Sequence, residues 1–241
     1  MNGSGGGIPS VITRIIVQSF EASPALRDAG FFHGFTGKSA PGDELVALGL
    51  DPQDVFLVSQ VHGAGVVCPG AGAVPAAMRA EKGDAIVLSA GQTGAVRVAD
   101  CVPVLVGDPV SGRAAAIHAG WRGVVGGVVP AALSHLRGNP RGMLAAIGPC
   151  IESCCFEVGD DVASTIEMAV PAPGVVARRA GGKGWVDLVA AVRAQLEASG
   201  VAAANIERVG SCTRCSPEKY WSYRREGASA GRIMGVIRAR D

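Results

Sequence analysis

The strongest constraint on the fold lies between Val102 and His118. Two apolar arms, Val102 to Val106 and Arg113 to His118, flank the turn-forming segment Gly107-Asp108-Pro109-Val110-Ser111-Gly112. Such arms are expected to pair as a hairpin. A hairpin here argues against a doubly wound parallel sheet. Short apolar runs predict further strands at Asp54 to Val61, Ala85 to Leu88, Leu144 to Ile147, Ile206 to Val209 and Ile233 to Ile237. Val11 to Phe20 alternates apolar and polar residues and is expected to add another. Helices are predicted from Val124 to Leu136, Asp160 to Met168 and Val186 to Ser199; in the last, Leu188, Val192 and Leu196 recur every four residues before Gly200. Strands and helices alternate irregularly, so the expected class is α+β with mixed sheets.

No shift in composition divides the chain, which predicts one domain over residues 11–241 behind a disordered tail at 1–10, where Asn2-Gly3-Ser4-Gly5-Gly6-Gly7 lies. With 241 residues and 48% hydrophobic content there is ample material for a core. A net charge of +1 argues against attraction to nucleic acid or to a membrane surface. No apolar run reaches the ~18 residues of a membrane span, and no signal peptide is visible, so a cytoplasmic location is expected. Seven cysteines cannot all pair within one chain and read better as thiols or ligands than as a disulfide framework.

Three segments carry the chemistry: Gln60-Val61-His62-Gly63, Ala99-Asp100-Cys101-Val102-Pro103 and Ile117-His118-Ala119-Gly120-Trp121-Arg122-Gly123. The chain has four histidines, and two of them fall here beside small residues. Two imidazoles and a thiolate suit a zinc ion that keeps its fourth position open. His62, Cys101 and His118 are far apart in sequence, so tertiary folding is expected to join them. Each stands at or beside a predicted strand end, where sites are usually assembled. Trp121 offers a flat apolar wall and Arg122 an anion partner at a predicted helix start. Asp84 and Asp100 can each orient a ligand imidazole or carry a proton. Arg224 and Arg225 can clamp an anion while Trp221 and Tyr223 stack on a base. His33 and His135 read as structural or exposed.

These segments, together with Gly148-Pro149-Cys150, Cys154-Cys155-Phe156-Glu157-Val158-Gly159 and Ser222-Tyr223-Arg224-Arg225, closely resemble the YfiH family, labelled multicopper polyphenol oxidase or peptidoglycan editing factor. The match runs from about His33 to Ile237. The resemblance implies a sandwich of mixed sheets flanked by helices, distantly like cysteine hydrolases. It implies zinc at His62, Cys101 and His118, and purine nucleoside chemistry: phosphorolysis of adenosine or inosine, and deamination of adenosine. The family's His-Gly-Phe-Ser-Thr-Arg stretch is replaced by His33-Gly34-Phe35-Thr36-Gly37-Lys38, followed directly by a shorter loop at 39–43. Lys38 keeps the charge and loses the bidentate fork of arginine.

The leading expectation is therefore a zinc-dependent purine nucleoside enzyme. Its partners are a nucleoside and phosphate, with no nucleic acid and no membrane. Catalysis would rest on His62, Cys101, His118 and Asp100, phosphate on Lys38 and Arg122, and the base or sugar on Trp121 or Tyr223, with Arg224 nearby. One alternative is a metal-free cysteine hydrolase acting on cell-wall precursors, with Cys101 as nucleophile. Another is a nucleotide-binding protein without chemistry. A copper oxidase is disfavoured by counting, because four histidines cannot furnish both a blue-copper centre and a trinuclear cluster. The usual zinc deaminase signature is also missing: Pro149-Cys150-Ile151-Glu152-Ser153-Cys154 is one residue too long, and there is no His-x-Glu. Finally, Cys212-Thr213-Arg214-Cys215 has CxxC spacing and, with Cys154-Cys155, offers four sulfurs for a structural zinc if folding brings the pairs together.

Overall fold

The computed structural model describes residues 20–38, 44–179 and 183–241. The hairpin forms as its sequence predicts. Strand β7 (Val102–Gly107) pairs antiparallel with β8 (Ala114–Ala119), placing Pro103 opposite His118 and Gly107 opposite Ala114. Its turn is closed by Asp108, whose carboxylate accepts from the Val110 N–H at 3.1 Å and from the Ser111 hydroxyl at 2.6 Å.

This hairpin sits in the middle of a six-stranded sheet. From one edge the order is β13 (Ile206–Arg208), β9 (Leu144–Ile147), β7, β8, β5 (Ala85–Leu88) and β4 (Val66–Val67). The outermost pairs, β13 with β9 and β4 with β5, run parallel and the inner ones antiparallel. A second sheet of five strands has the order β1 (Phe20–Glu21), β2 (His33–Thr36), β14 (Ile233–Arg238), β6 (Thr93–Val98) and β3 (Val55–Phe56). A small antiparallel sheet joins β10 (Glu157–Gly159), β12 (Lys183–Val186) and β11 (Val176–Arg179).

Period-two alternation explains the layering. Val102, Val104, Val106, Ala115, Ile117 and Ala119 point to one face of the six-stranded sheet. There they meet Val124, Val128, Leu133, Ile166, Leu188 and Leu196 from the helices α3 (Trp121–Val125), α4 (Val128–Leu136), α5 (Asp160–Ala169) and α6 (Leu188–Ala198). Leu105, Ala114 and Ala116 point the other way, against Phe35, Val96 and Ile237 of the five-stranded sheet. The hairpin is thus buried on both faces, and each large apolar side chain buried in it contributes ~1.5–3 kcal/mol. Small residues set the spacing: a Cβ on Gly148 would lie 2.3 Å from the Phe35 ring. The remaining helices, α1 (Pro24–Asp28), α2 (Pro75–Met78) and α7 (Tyr223–Glu226), are short.

The α+β sandwich agrees with the expected class. Two local predictions change. The helix expected over Val124 to Leu136 begins earlier and is broken in two, because Gly126 caps α3 and Gly127 adopts φ +77°, a left-handed conformation that ends regular helix. The strand expected over Asp54 to Val61 is regular only at Val55–Phe56, with a single further bridge from Ser59 to Lys82 before the chain reaches His62. The strand at Val11 to Phe20 and the tail at 1–10 lie outside the described residues, Phe20 excepted; the loop at 39–43 lies outside them too.

Candidate metal centre and its cavity

The hairpin register delivers two of the three candidate ligands. Cys101 stands immediately before β7 and His118 near the end of β8, so pairing of the arms brings them side by side. Tertiary folding was expected to be needed for this contact; one local element suffices. His62 arrives on the loop before β4, and the three donor atoms lie within 4.8 Å of one another. The two imidazole rings meet edge to face, with centroids 4.8 Å apart and planes at 83°.

Asp84, fully buried at the start of β5, ties this loop to the hairpin. Its Oδ1 accepts the His62 N–H at 2.9 Å and bonds His118 Nδ1 at 2.8 Å. Its Oδ2 accepts the N–H groups of Gly63 at 2.7 Å and Val61 at 3.3 Å. These bonds hold His62 at φ +60°, a left-handed conformation that is costly for a residue with a side chain. They also fix the His118 tautomer, with the proton on Nδ1 facing Asp84 and Nε2 left as the donor atom.

Asp100 does a different job. It adopts φ +85°, accepts the Thr213 hydroxyl at Oδ1 (2.6 Å) and takes the Arg224 N–H at Oδ2 (2.6 Å). Both oxygens are thereby committed to loop contacts. Of the two acidic residues singled out in the sequence, Asp84 is the one that orients an imidazole.

The charges reinforce one another. Burial raises the Cys101 thiol, but hydrogen bonds and positive charge from His118 and His62 outweigh it, leaving its pKa at about 7. Burial lowers His118, yet its bonds to Asp84 and Cys101 dominate and lift it to about 9. Burial likewise raises Asp84, and the His118 bond with the Gly63 and His62 N–H groups more than reverses this. A thiolate is therefore available near neutrality.

Gly120 completes the site. A Cβ there would stand 3.0 Å from Cys101 Sγ, 3.3 Å from His62 Cδ2 and 3.8 Å from His118 Cε1. That clearance, two imidazoles, one thiolate and a carboxylate behind one imidazole make a donor set that fits a borderline-soft divalent ion.

The centre opens into a cavity of about 700 Å³. Asp100, Tyr223 and Arg224 line it, as do Gln60, Ile151 and Phe156. Two further arginines, Arg97 and Arg232, also line it and were not singled out in the sequence. Arg97 is located by Gln60, whose side-chain amide bonds its backbone N–H and C=O, each at 2.8 Å. The Gln60-Val61-His62-Gly63 segment was the available signal. Arg224 lies 5.5 Å over Phe156 and donates to the Glu157 carbonyl at 3.0 Å.

Five residues singled out in the sequence, Lys38, Trp121, Arg122, Trp221 and Arg225, are not among the cavity's lining. Lys38 bonds Glu226 at 3.3 Å and lies 4.1 Å over the Trp221 ring. Arg122 lies 4.4 Å over Trp121 on α3, and Trp121 packs against the helical core. Arg225 is spent on the carbonyls of Thr213, Arg214 and Tyr220. His33 is buried and bonded at both ring nitrogens, while exposed His135 bonds the Ala131 carbonyl of its own helix.

Residues 43–240 match the family described as multi-copper polyphenol oxidoreductase laccase. A Streptomyces coelicolor protein named purine nucleoside phosphorylase is 40% identical over 203 residues, covering 79% of this chain and 77% of its own. A protein of an unknown prokaryotic organism, named adenosine deaminase, is 41% identical over 149 residues, covering 59% of this chain and 57% of its own. The crystal structure of Bacillus licheniformis YfiH superposes with a TM-score of 0.83 at 26% identity, covering 92% of this chain and 97% of that one.

Proposed function

This chain belongs to the multi-copper polyphenol oxidoreductase laccase family, to which YfiH proteins belong, and on that premise we propose that it is a zinc-dependent purine nucleoside enzyme. The reading covers two reactions. Phosphorolysis converts adenosine or inosine and phosphate into free base and ribose 1-phosphate. Deamination converts adenosine and water into inosine and ammonia. The observation that carries the proposal is the convergence of His62, Cys101 and His118 beside an open cavity, with Asp84 behind His118. A laccase-type multicopper assembly is disfavoured because both cavity-side histidines are used in this one set of two imidazoles and a thiolate, which leaves none for a trinuclear cluster. The other two, His33 and His135, are engaged elsewhere.

When bound, zinc supplies Lewis acidity and one coordination position for water or substrate. The chain's own residues do the rest. Asp84 keeps the His118 proton on Nδ1 and holds the His62 loop in place. Asp100 positions α7 through the Arg224 N–H rather than exchanging protons. Arg97, Arg224 and Arg232 bind the phosphate or the developing anion, in place of the Lys38 and Arg122 expected from sequence. Ile151, Phe156 and Tyr223 supply apolar and aromatic surface for the purine.

Replacing Cys101 with Ser tests this directly. Bound zinc is expected to fall, together with inosine and free-base release from adenosine assayed with and without phosphate. Unchanged metal content and turnover would overturn the proposal.

One observation favours a second reading. Asp84, His118 and Cys101 are ordered as orienting carboxylate, base and nucleophile, and Cys101 titrates near neutrality. A metal-free cysteine hydrolase built this way would keep its activity in chelator and lose it to a thiol alkylator.

A further inference from the structure

Two cysteine pairs from distant parts of the chain meet on the far side of the cavity wall. Cys154 and Cys155 lie in the turn that follows Ile151, and Cys212 and Cys215 in the turn that follows β13. Their sulfurs are 3.6 Å apart for Cys154 and Cys155, 3.7 Å for Cys154 and Cys215, and 3.3 Å for Cys155 and Cys215. All four lie within 4.8 Å of one another, and none is in a disulfide.

These spacings are those of a coordination shell. Four thiolates around a tetrahedral ion with bonds of ~2.3 Å stand ~3.8 Å from each other. Four uncharged thiols gain little from the same crowding, because S–H is a weak donor and sulfur a weak acceptor. The Arg214 guanidinium reaches Cys155 Sγ at 3.6 Å and offsets part of the charge that four thiolates would carry. Cys155 and Cys212 are buried beside Ile151 and Phe156, while Cys154 and Cys215 face solvent, which leaves a path for an ion to enter.

We propose that Cys154, Cys155, Cys212 and Cys215 form a second metal site, a closed four-sulfur centre for zinc distinct from the His62, Cys101 and His118 centre. Binding replaces four S–H protons, released to solvent, with four metal–sulfur bonds and involves no redox change. With every position filled by protein the site is structural. Its task follows from what the two turns carry. Thr213, between Cys212 and Cys215, holds Asp100 next to Cys101. Ile151 and Phe156, flanking Cys154 and Cys155, line the cavity. The second ion therefore pins together the two turns that shape one wall of the reaction chamber.

The test separates this site from the first by metal content rather than activity. In the double variant His62→Ala/Cys101→Ser, about one zinc per chain is expected to remain after purification, and cobalt substitution should give the intense sulfur-to-cobalt charge-transfer and visible bands of a tetrahedral tetrathiolate centre. Adding Cys212→Ser and Cys215→Ser should remove both signals. The unaltered protein provides a control that needs no substitution. It should hold about two zinc ions, and a strong chelator should expose five additional thiols to a disulfide reagent, four from this site and Cys101 from the first. Absence of retained zinc and of charge-transfer bands in the double variant would overturn the proposal. So would a disulfide among these four residues in the purified, unaltered protein.

Discussion

Replacing Asp84 with Asn exchanges one buried oxygen for an amide NH₂ and changes nothing else in size. The carboxylate accepts four donors, two at each oxygen: His62 N–H and His118 Nδ1 at Oδ1, Gly63 N–H and Val61 N–H at Oδ2. Whichever way the amide is turned, its NH₂ faces two groups that also donate. Each buried donor left without an acceptor costs ~1–3 kcal/mol, so the substitution should cost ~2–6 kcal/mol. That is a large share of the ~5–15 kcal/mol by which domains are usually stable. Loss of the charge also removes one of the groups that hold the His118 proton on Nδ1, and the affinity for zinc should drop ~10–100-fold. Denaturant unfolding in chelator isolates the stability term, and competition with a zinc indicator gives the affinity. An unfolding free energy within ~0.5 kcal/mol of the parent, with zinc affinity unchanged, would refute the role assigned to this carboxylate.

Gly120→Ala has an allowed backbone, at φ −72° and ψ 165°, so it should fold. Its methyl, 3.0 Å from Cys101 Sγ, should nevertheless weaken zinc binding at least ~10-fold; parent-like affinity by isothermal titration would contradict the crowding argument. Arg97→Ala should raise the KM for phosphate ~10-fold or more while sparing deamination, and equal loss of both activities would show that Arg97 does not serve phosphate. His33 is held below its usual pKa of 6.5 by burial, which outweighs its bonds to Phe31 and Ser23 and the nearby Glu207 charge. Its neutral ring accepts the Ser23 N–H at Nε2, so the unfolded chain takes up the proton first, and His33 adds stability above pH 6.5 that is lost as pH falls below it. Unfolding midpoints at pH 7.5 and pH 5 should therefore converge in His33→Gln; an unchanged pH slope in that variant would remove His33 as the cause.

The parts of the fold legible in the sequence are those whose signal is local. The hairpin, Ala85–Leu88 and Leu144–Ile147 are apolar runs bounded by turn residues, and α6 shows its helical spacing directly. Thr93–Val98 is hidden because Thr, Gly and Arg interrupt its apolar residues, although β6 is central to the second sheet. The break at Gly126 and Gly127 is written in the residues, yet the apolar pattern runs across it. The candidate ligands were legible because His and Cys beside glycine are chemically conspicuous. Asp84 against Asp100 was not decidable, since both precede strands, and only the packed structure shows which one faces His118. Lys38 and Arg122 carry the right charge but are engaged by Glu226 and Trp121 outside the cavity's lining. Arg97 and Arg232 gain their meaning only when β6 and β14 lie side by side.

The hairpin also sets how the centre comes apart. Cys101 and His118 are joined by a short closure within one buried element, whereas His62 hangs from a loop that long-range pairing of β4 and β5 must hold. His118 is buried and His62 exposed. Of the three candidate ligands only His62 stands on a loop away from the hairpin, so local opening would release it first. The ion can lose one imidazole while the thiolate and the other keep their grip. Exchange of an ion held there would then need no global unfolding, because pairing of the hairpin arms keeps Cys101 and His118 together.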